Sequence, residues 1–212
     1  MFILPLYNIL SMKNILLSFL FAVVIGSSVA QKLEVVEGDL SQLAGLDKIH
    51  FEFTYDDLVI GESKPEPEFV AEKRKAWDER EQGKGAEWED HWITSRSKLY
   101  EPAFINAFTE RSAISADNNA KYIFVFKAYR LEPGWNGGPV GVSAYVNAEV
   151  LILTNDANRT LVAKLTVPKY VGNKYGGDFE IGQRIAKAYG RAGEALGSYF
   201  KRTVIGKAKK RN

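Results

Sequence analysis

Every second residue from Val140 to Ile152 is a small or branched apolar side chain, and this alternation constrains the fold more than any other part of the chain. A period of two places these side chains on one face of an extended strand, with Ser143, Asn147 and Glu149 on the other. The run is much longer than the mean strand of about 5–6 residues, so we expect a bulge within it. The expected buried face comprises Val142, Ala144, Val146, Ala148 and Val150.

Three further segments are predicted to be strands. The segment 122–132 begins with apolar residues on both faces, which is typical of a central strand. The segment 161–167 alternates again and ends at Pro168, and residues 155–158 form a turn before it. Residues 49–55 alternate in the same way and predict an earlier, half-buried strand.

The predicted helices lie before and after the three consecutive strands of residues 122–132, 140–152 and 161–167. Residues 67–82 carry opposite charges at helical spacing, which predicts a solvated helix that ends at Gly83. The next helix places Trp88 and Trp92 on one face, and Pro102 is expected to stop or kink it.

The last helix, from Asp178 as its N-cap to about Lys201, carries a line of small residues beside its apolar face. Glycine costs a helix about 1 kcal/mol relative to alanine, so a repeated glycine indicates close approach of another backbone. We expect that helix to lie tightly on the sheet or on a neighbouring helix, with a dimer contact as the alternative. The small residues are Ala186, Gly190, Gly193 and Gly197.

The order strand, two helices, three-strand meander and helix predicts an α+β fold. We expect an antiparallel sheet of about four strands with helices mainly on one face. Residues 31–201 should form a single domain, residues 1–30 a signal peptide, and residues 202–212 a basic flexible tail.

The signal peptide is predicted from three consecutive features. Lys13 gives a positive start, an apolar run extends over 15–25, and small residues follow up to Ala30, after which cleavage is expected. The simplest interpretation places the true start at Met12, with translation from Met1 as the alternative. A retained anchor is disfavoured because polar residues interrupt the tract before it reaches the about 20 apolar residues of a spanning helix. The mature protein is therefore expected to be exported, periplasmic or extracellular, and soluble.

Composition excludes several classes of protein. The chain has no cysteine, which excludes disulfides, thiolate catalysis, cysteine metal sites and a lipid-modified cysteine. Its net charge is +2, and the expected mature part loses one lysine and no acid, so it lacks the basic character of a nucleic-acid-binding domain.

Candidate catalytic residues are few. The chain has two histidines, and His91 lies one residue after Asp90 and four after Glu87. These three residues form the alternative interpretation, an exported hydrolase whose acid and histidine site follows no motif. No metal-binding spacing and no nucleophile elbow is present, so we predict no metal and no cofactor.

Contact residues for a partner are predicted in two glycine-rich loops, 133–139 and 170–177, and in the tail. Trp135 lies in the glycine-rich loop 133–139, where an indole ring is suited to contact a partner, although it could instead fold back over the sheet edge. The basic tail is suited to weak contact with an anionic surface. The candidates are Trp135, Asn136, Tyr170, Tyr175, Lys209, Lys210 and Arg211.

Three segments carry a resemblance to known families: residues 120–126, the strand 146–154 with its Asn155–Asp156 turn, and the helix 182–193. Together, residues 117–201 resemble exported accessory domains of the bacterial outer membrane, namely the curli-pore lipoprotein group and the lipoprotein activators of peptidoglycan synthases. The chain lacks their lipidation cysteine, and residues 61–111 have no counterpart. The resemblance implies a non-catalytic envelope protein and assigns no functional residue.

These observations favour an exported, non-enzymatic binding or assembly factor of the bacterial cell envelope. An envelope protein or a glycan is the expected partner. No nucleic acid is expected, and no transmembrane anchor should remain after cleavage.

Overall fold

The computed structural model describes residues 32–136 and 140–206, apart from the side chain of Asp178. All described residues belong to one compact unit. The predicted signal peptide, part of the loop 133–139, the side chain of the predicted N-cap Asp178, and residues 207–212 of the predicted tail lie outside the described part.

Within the described part, eight strands form one mixed sheet, in which six strands follow the order β1-β8-β7-β6-β2-β5. The two-residue strand β3 pairs with β6, and β4 pairs with β3. The strands are β1 (Glu34–Gly38), β2 (Lys48–Thr54), β3 (Val59–Ile60), β4 (Lys64–Pro65), β5 (Ser115–Ala116), β6 (Tyr122–Glu132), β7 (Tyr145–Thr154) and β8 (Leu161–Val171).

Within residues 32–136 and 140–206, four α-helices accompany the sheet: α1 (Glu66–Asp78), α2 (Lys84–Ser95), α3 (Glu101–Ser112) and α4 (Ile181–Phe200). A π-helical turn, Arg96–Tyr100, joins α2 to α3, so Pro102 sits in the first turn of α3, where proline is tolerated, and does not stop the helix. A second π-helical turn, Lys201–Ile205, follows α4 and buries Val204. The last helix thus continues beyond its predicted end.

The α+β class is confirmed, but the expectation of a four-stranded antiparallel sheet is wrong. The meander β6–β7–β8 and its neighbour β1 are antiparallel, whereas β2 and β3 both pair with β6 in parallel. A parallel pair needs a long crossover between its strands, and α1, α2 and α3 supply it between β2 and β6. Alternation shows which face of a strand is buried, but it does not show which strand is its neighbour.

The inner face of the sheet is packed with aromatic rings. Phe51 of β2 and Phe124 of β6 lie beneath Phe108 of α3, with ring centroids 5.3 Å apart in both contacts to Phe108. Phe200 of α4 lies 5.4 Å from Phe108 and closes the cluster. Helices α3 and α4 therefore share one hydrophobic core with the central strands.

The predicted buried face of β7 is confirmed over most of its length. Ala144, Val146, Ala148, Val150 and Ile152 are all fully buried. The prediction is wrong at Val142, which is 39% exposed, and the alternation also includes Val140, which is 71% exposed. The strand begins only at Tyr145, because Val142 pairs with Trp135 of the loop that follows β6 and Ala144 hydrogen-bonds to Gly172 and Asn173 after β8. A register shift against β8 between Val146 and Ala148 confirms the expected bulge.

Two glycines of α4, Gly193 and Gly197, pack closely against α3. An added Cβ at Gly193 would lie 2.3 Å from the backbone oxygen of Phe104, and one at Gly197 would lie 2.6 Å from that of Phe108. Both distances are shorter than any real Cβ contact, so only glycine permits this helix separation. The structure confirms close packing on a neighbouring helix. At Gly190 the nearest atom, the oxygen of Ala103, is 3.7 Å away, which leaves room for a methyl group.

We predict that Gly193→Ala and Gly190→Ala change stability in opposite directions, although both convert glycine to alanine in one helix. Gly190→Ala should raise the free energy of unfolding by up to about 1 kcal/mol through helix propensity. Gly193→Ala gains the same propensity, but overpacking costs about 1–3 kcal/mol, so it should be destabilising. Urea unfolding of residues 31–212 measures both changes, and equal stabilisation by both variants would contradict the packing at Gly193.

We also predict a large difference between two valines of the same alternation. Val146→Asp places a charge in the closed core and should cost about 3 kcal/mol or more. Val140→Asp exposes its carboxylate to water and should change stability by no more than about 0.5 kcal/mol. Thermal unfolding compares the pair. Similar melting temperatures for the two variants would show that the buried face is misplaced.

Candidate functional site

A cleft opens at the end of β6, where β3, β4, α1 and the start of α4 meet. It encloses about 280 Å³. Its wall combines apolar side chains with three charged ones and two glycines. The lining residues are Ile60, Phe69, Pro133, Trp135 and Ile181, with Lys64, Lys73 and Glu132, and with Gly61 and Gly134.

The loop after β6 carries Trp135 to the rim of this cleft. The N–H groups of Trp135 and Val142 each donate to the other residue's carbonyl oxygen, both at 2.9 Å. Gly134 has a φ of +70°, and an added Cβ there would lie 2.6 Å from the backbone nitrogen of Ala144. The loop therefore needs glycine at this position. Backbone contacts fix the position of Trp135, while its side chain remains 47% exposed.

The buried side chain of Arg184 connects the loop after β6 to the loop before α4. Its side chain is 1% exposed and donates to four backbone oxygens. Two belong to the loop after β6, Pro133 at 3.1 Å and Gly134 at 3.0 Å, and two to the loop before α4, Gly176 at 2.8 Å and Gly177 at 2.9 Å. One guanidinium group therefore sets the relative position of both glycine-rich loops.

The sequence interpretation missed Arg184, although a signal was present. Arg184 lies three residues after Ile181 and one before Ile185, within the apolar stripe of α4. A cation on the buried face of a helix requires hydrogen-bond acceptors in the core, which here are loop carbonyl groups.

The charged residues of the cleft are held by local interactions. Glu132 Oε1 accepts a hydrogen bond from the backbone N–H of Gly134 at 3.0 Å, which directs the carboxylate towards the loop that carries Trp135. Lys64 forms an ion pair with Glu72 of α1. Lys73, one residue further along α1, also lines the cleft. The cleft thus presents both hydrogen-bond donors and acceptors.

The structure separates the predicted contact residues. Trp135 lines the cleft, and Asn136 follows it as an exposed residue. Tyr175 is 67% exposed on the loop before α4 and does not line the cleft. Tyr170 packs against the core at the end of β8, where burial raises the pKa of its hydroxyl group. Lys209, Lys210 and Arg211 lie outside the described residues.

The residues of the alternative hydrolase interpretation lie on α2, outside the cleft. Glu87, Asp90 and His91 are all exposed. Lys84 donates to Glu87 at 2.7 Å and holds the pKa of that carboxyl group below its usual range. The His91 ring packs edge-on against Phe179, with centroids 5.7 Å apart. Among the described residues, no group of three or more His, Asp or Glu side chains is arranged to hold a metal ion.

A second polar cluster lies where α1 meets the π-helical turn after α2. Glu66 accepts a hydrogen bond from the Trp92 indole at 2.6 Å and forms an ion pair with Arg96. The Arg96 guanidinium lies 4.2 Å from the ring centre of Tyr55. Burial raises the pKa of Tyr55 and Tyr189, so both hydroxyl groups stay protonated. The cluster joins α1 to α2 and to the π-helical turn.

Comparison with known proteins gives only distant structural similarities. No protein-family model matches the chain, and no curated protein is significantly similar to it. The PelC dodecamer from Paraburkholderia phytofirmans has 12% identity over 76% of this chain and 97% of its own, with a TM-score of 0.34. A single-residue variant of that dodecamer has 14% identity over 76% and 95%, with a TM-score of 0.33.

A third solved structure is protein XCC0632 from Xanthomonas campestris, of family model DUF330. It has 12% identity over 53% of this chain and 63% of its own, with a TM-score of 0.33. At such identities and TM-scores, none of the three supports an argument about function or assembly. None belongs to the curli-pore or peptidoglycan-synthase-activator groups to which the sequence predicts that residues 117–201 are similar.

No helix within residues 32–136 and 140–206 has the length and apolar character needed to cross a membrane.

We predict that Arg184→Met destabilises the protein and loosens both loops. The methionine fills similar space but leaves the loop carbonyl groups without their buried donor, at a cost of roughly 2–4 kcal/mol. The rate of amide hydrogen exchange should increase more at Trp135 and Gly177 than at the amides of β7. The exposed Lys187→Met on the same helix is the control and should change neither property. Unchanged exchange at Trp135 in Arg184→Met would contradict the role given to Arg184.

Proposed function

We propose that this protein is an exported, non-enzymatic binding or assembly factor of the bacterial cell envelope, with the cleft as its contact site. The observation that carries the proposal is the exposed indole of Trp135, held at the rim of the cleft by a fixed backbone.

A fixed, exposed tryptophan is suited to binding for two physical reasons. The indole ring can bury a large area against a partner, and it also has a polar N–H group. The loop backbone is already ordered by the Trp135–Val142 pair and by Arg184, so little conformational entropy would be lost on binding.

The envelope as the place of action is supported by the sequence. The pattern of residues 12–30 is that of a secretory signal, and residues 117–201 resemble exported envelope domains. Glu87, Asp90 and His91 of the hydrolase alternative are exposed and do not line the cleft.

Co-sedimentation with isolated bacterial envelopes tests the proposal. Residues 31–212 are expected to sediment with envelopes in high salt, which screens the charges of the basic tail. Trp135→Ala should abolish most of this retention, while Tyr175→Ala, which removes an exposed aromatic ring outside the cleft, should keep it. Retention that is absent in the wild type, or equal in wild type and Trp135→Ala, would contradict the proposal.

A further inference from the structure

We propose that the cleft binds one uncharged pyranose ring of an envelope glycan, with a face of the ring stacked on Trp135. This inference rests on the proposed function and adds to it the chemical class of the ligand.

The size of the cleft suits a small unit of a longer chain. Its volume of about 280 Å³ lies just below the roughly 300–1,000 Å³ that is common for small-molecule pockets. A single sugar ring fits such a space, and the remainder of a glycan can extend into solvent past the exposed rim. A folded protein segment would need a larger contact area than the cleft offers.

The chemistry of the lining matches the two sides of a sugar ring. A pyranose has flat faces of C–H groups, which pack on aromatic rings, and an edge of hydroxyl groups, each of which both donates and accepts hydrogen bonds. Trp135 and Phe69 supply aromatic surface, Glu132 supplies an acceptor, and Lys64 and Lys73 supply donors. A purely apolar ligand would displace water from these polar groups without replacing the hydrogen bonds that the water makes.

The balance of charge favours an uncharged ligand over an anionic one. The two lysines of the cleft are accompanied by Glu132 in its wall and by Glu72, which is paired with Lys64. Opposite charges therefore balance within a short distance. An anion would have to approach Glu132 and compete with Glu72, whereas a hydroxyl group can hydrogen-bond to either sign of charge.

The groups that would contact the ring are preorganised. Glu132 is oriented by the N–H of Gly134, and Gly134 is in turn held by the buried Arg184. The same short loop therefore fixes the carboxylate and the indole relative to each other, which limits the entropic cost of ordering them.

Titration of residues 31–212 with soluble trisaccharides tests the inference, monitored through the tryptophan indole N–H signals in ¹H–¹⁵N spectra. The chain has four tryptophans, and Trp135→Phe assigns the signal of interest. The probes are tri-N-acetylchitotriose, cellotriose and maltotriose as uncharged glycans, and trigalacturonate as the acidic one. At least one uncharged probe should shift the Trp135 signal saturably and by more than the signals of the other three tryptophans.

The variants separate stacking from hydrogen bonding. Trp135→Ala should weaken binding of that probe about tenfold or more, as for a central contact residue. Glu132→Gln keeps an acceptor oxygen for the Gly134 N–H but loses the charge, and it should weaken binding less than Trp135→Ala. Tyr175→Ala is the control and should bind like the wild type.

Two results would overturn the inference: no saturable Trp135 shift with any uncharged probe, or tighter binding of trigalacturonate than of all three. The proposed function is tested separately. If envelopes retain the protein through Trp135 but saturating trisaccharide does not release it, and protease treatment of the envelopes abolishes retention, the contact site stands while its ligand is a protein. If no retention occurs at all, the proposed function itself fails.

Discussion

The backbone contact between α3 and α4 is the constraint on which the rest of the structure depends. Gly193 and Gly197 allow α4 to approach the carbonyl groups of Phe104 and Phe108 more closely than any side chain would permit. This separation lets Phe108 and Phe200 meet over the sheet and pack on Phe124 of β6. The helix pair thus acts as one rigid layer, because a wider spacing would open cavities throughout the aromatic core.

Helix α4, whose position is fixed by this contact, also positions residues of the candidate site. The first turns of α4 place Ile181 in the wall of the cleft and Arg184 beneath the two glycine-rich loops. The position of Trp135 therefore depends on the packing of α4, through Arg184 and the carbonyl of Gly134. A site made of loops gains rigidity in this way from a helix fixed by close packing, which is how loop residues can be preorganised for binding.

The crossover helices have a complementary role at the other wall of the cleft. Phe69, at the first turns of α1, contributes to the cleft and also packs against Trp92 of α2, with ring centroids 5.2 Å apart. Glu66 anchors the start of α1 to Trp92 and Arg96. Both walls are thus tied to the core by buried contacts, while the exposed acids and histidine of α2 take no part in the cleft.

By itself, the sequence determined the long strands of the meander, the long helices and most of the faces they bury. The alternation through Val146 and Val150 predicted a strand with a closed inner face, and the glycines at 193 and 197 predicted the close approach of another backbone, because both are local patterns with a fixed period. That this backbone belongs to α3 was decided by the tertiary structure. Trp135 was also recognisable as a contact candidate from its polar, glycine-rich loop.

Only the tertiary structure decided that β2 pairs with β6 in parallel and that Val142 leaves the strand to pair with Trp135. It also brought Glu132, Lys64 and Phe69 together with Trp135, and placed Arg184 under them. Those contacts join residues far apart in the chain, and their geometry follows from the packing of whole elements, which no local period encodes.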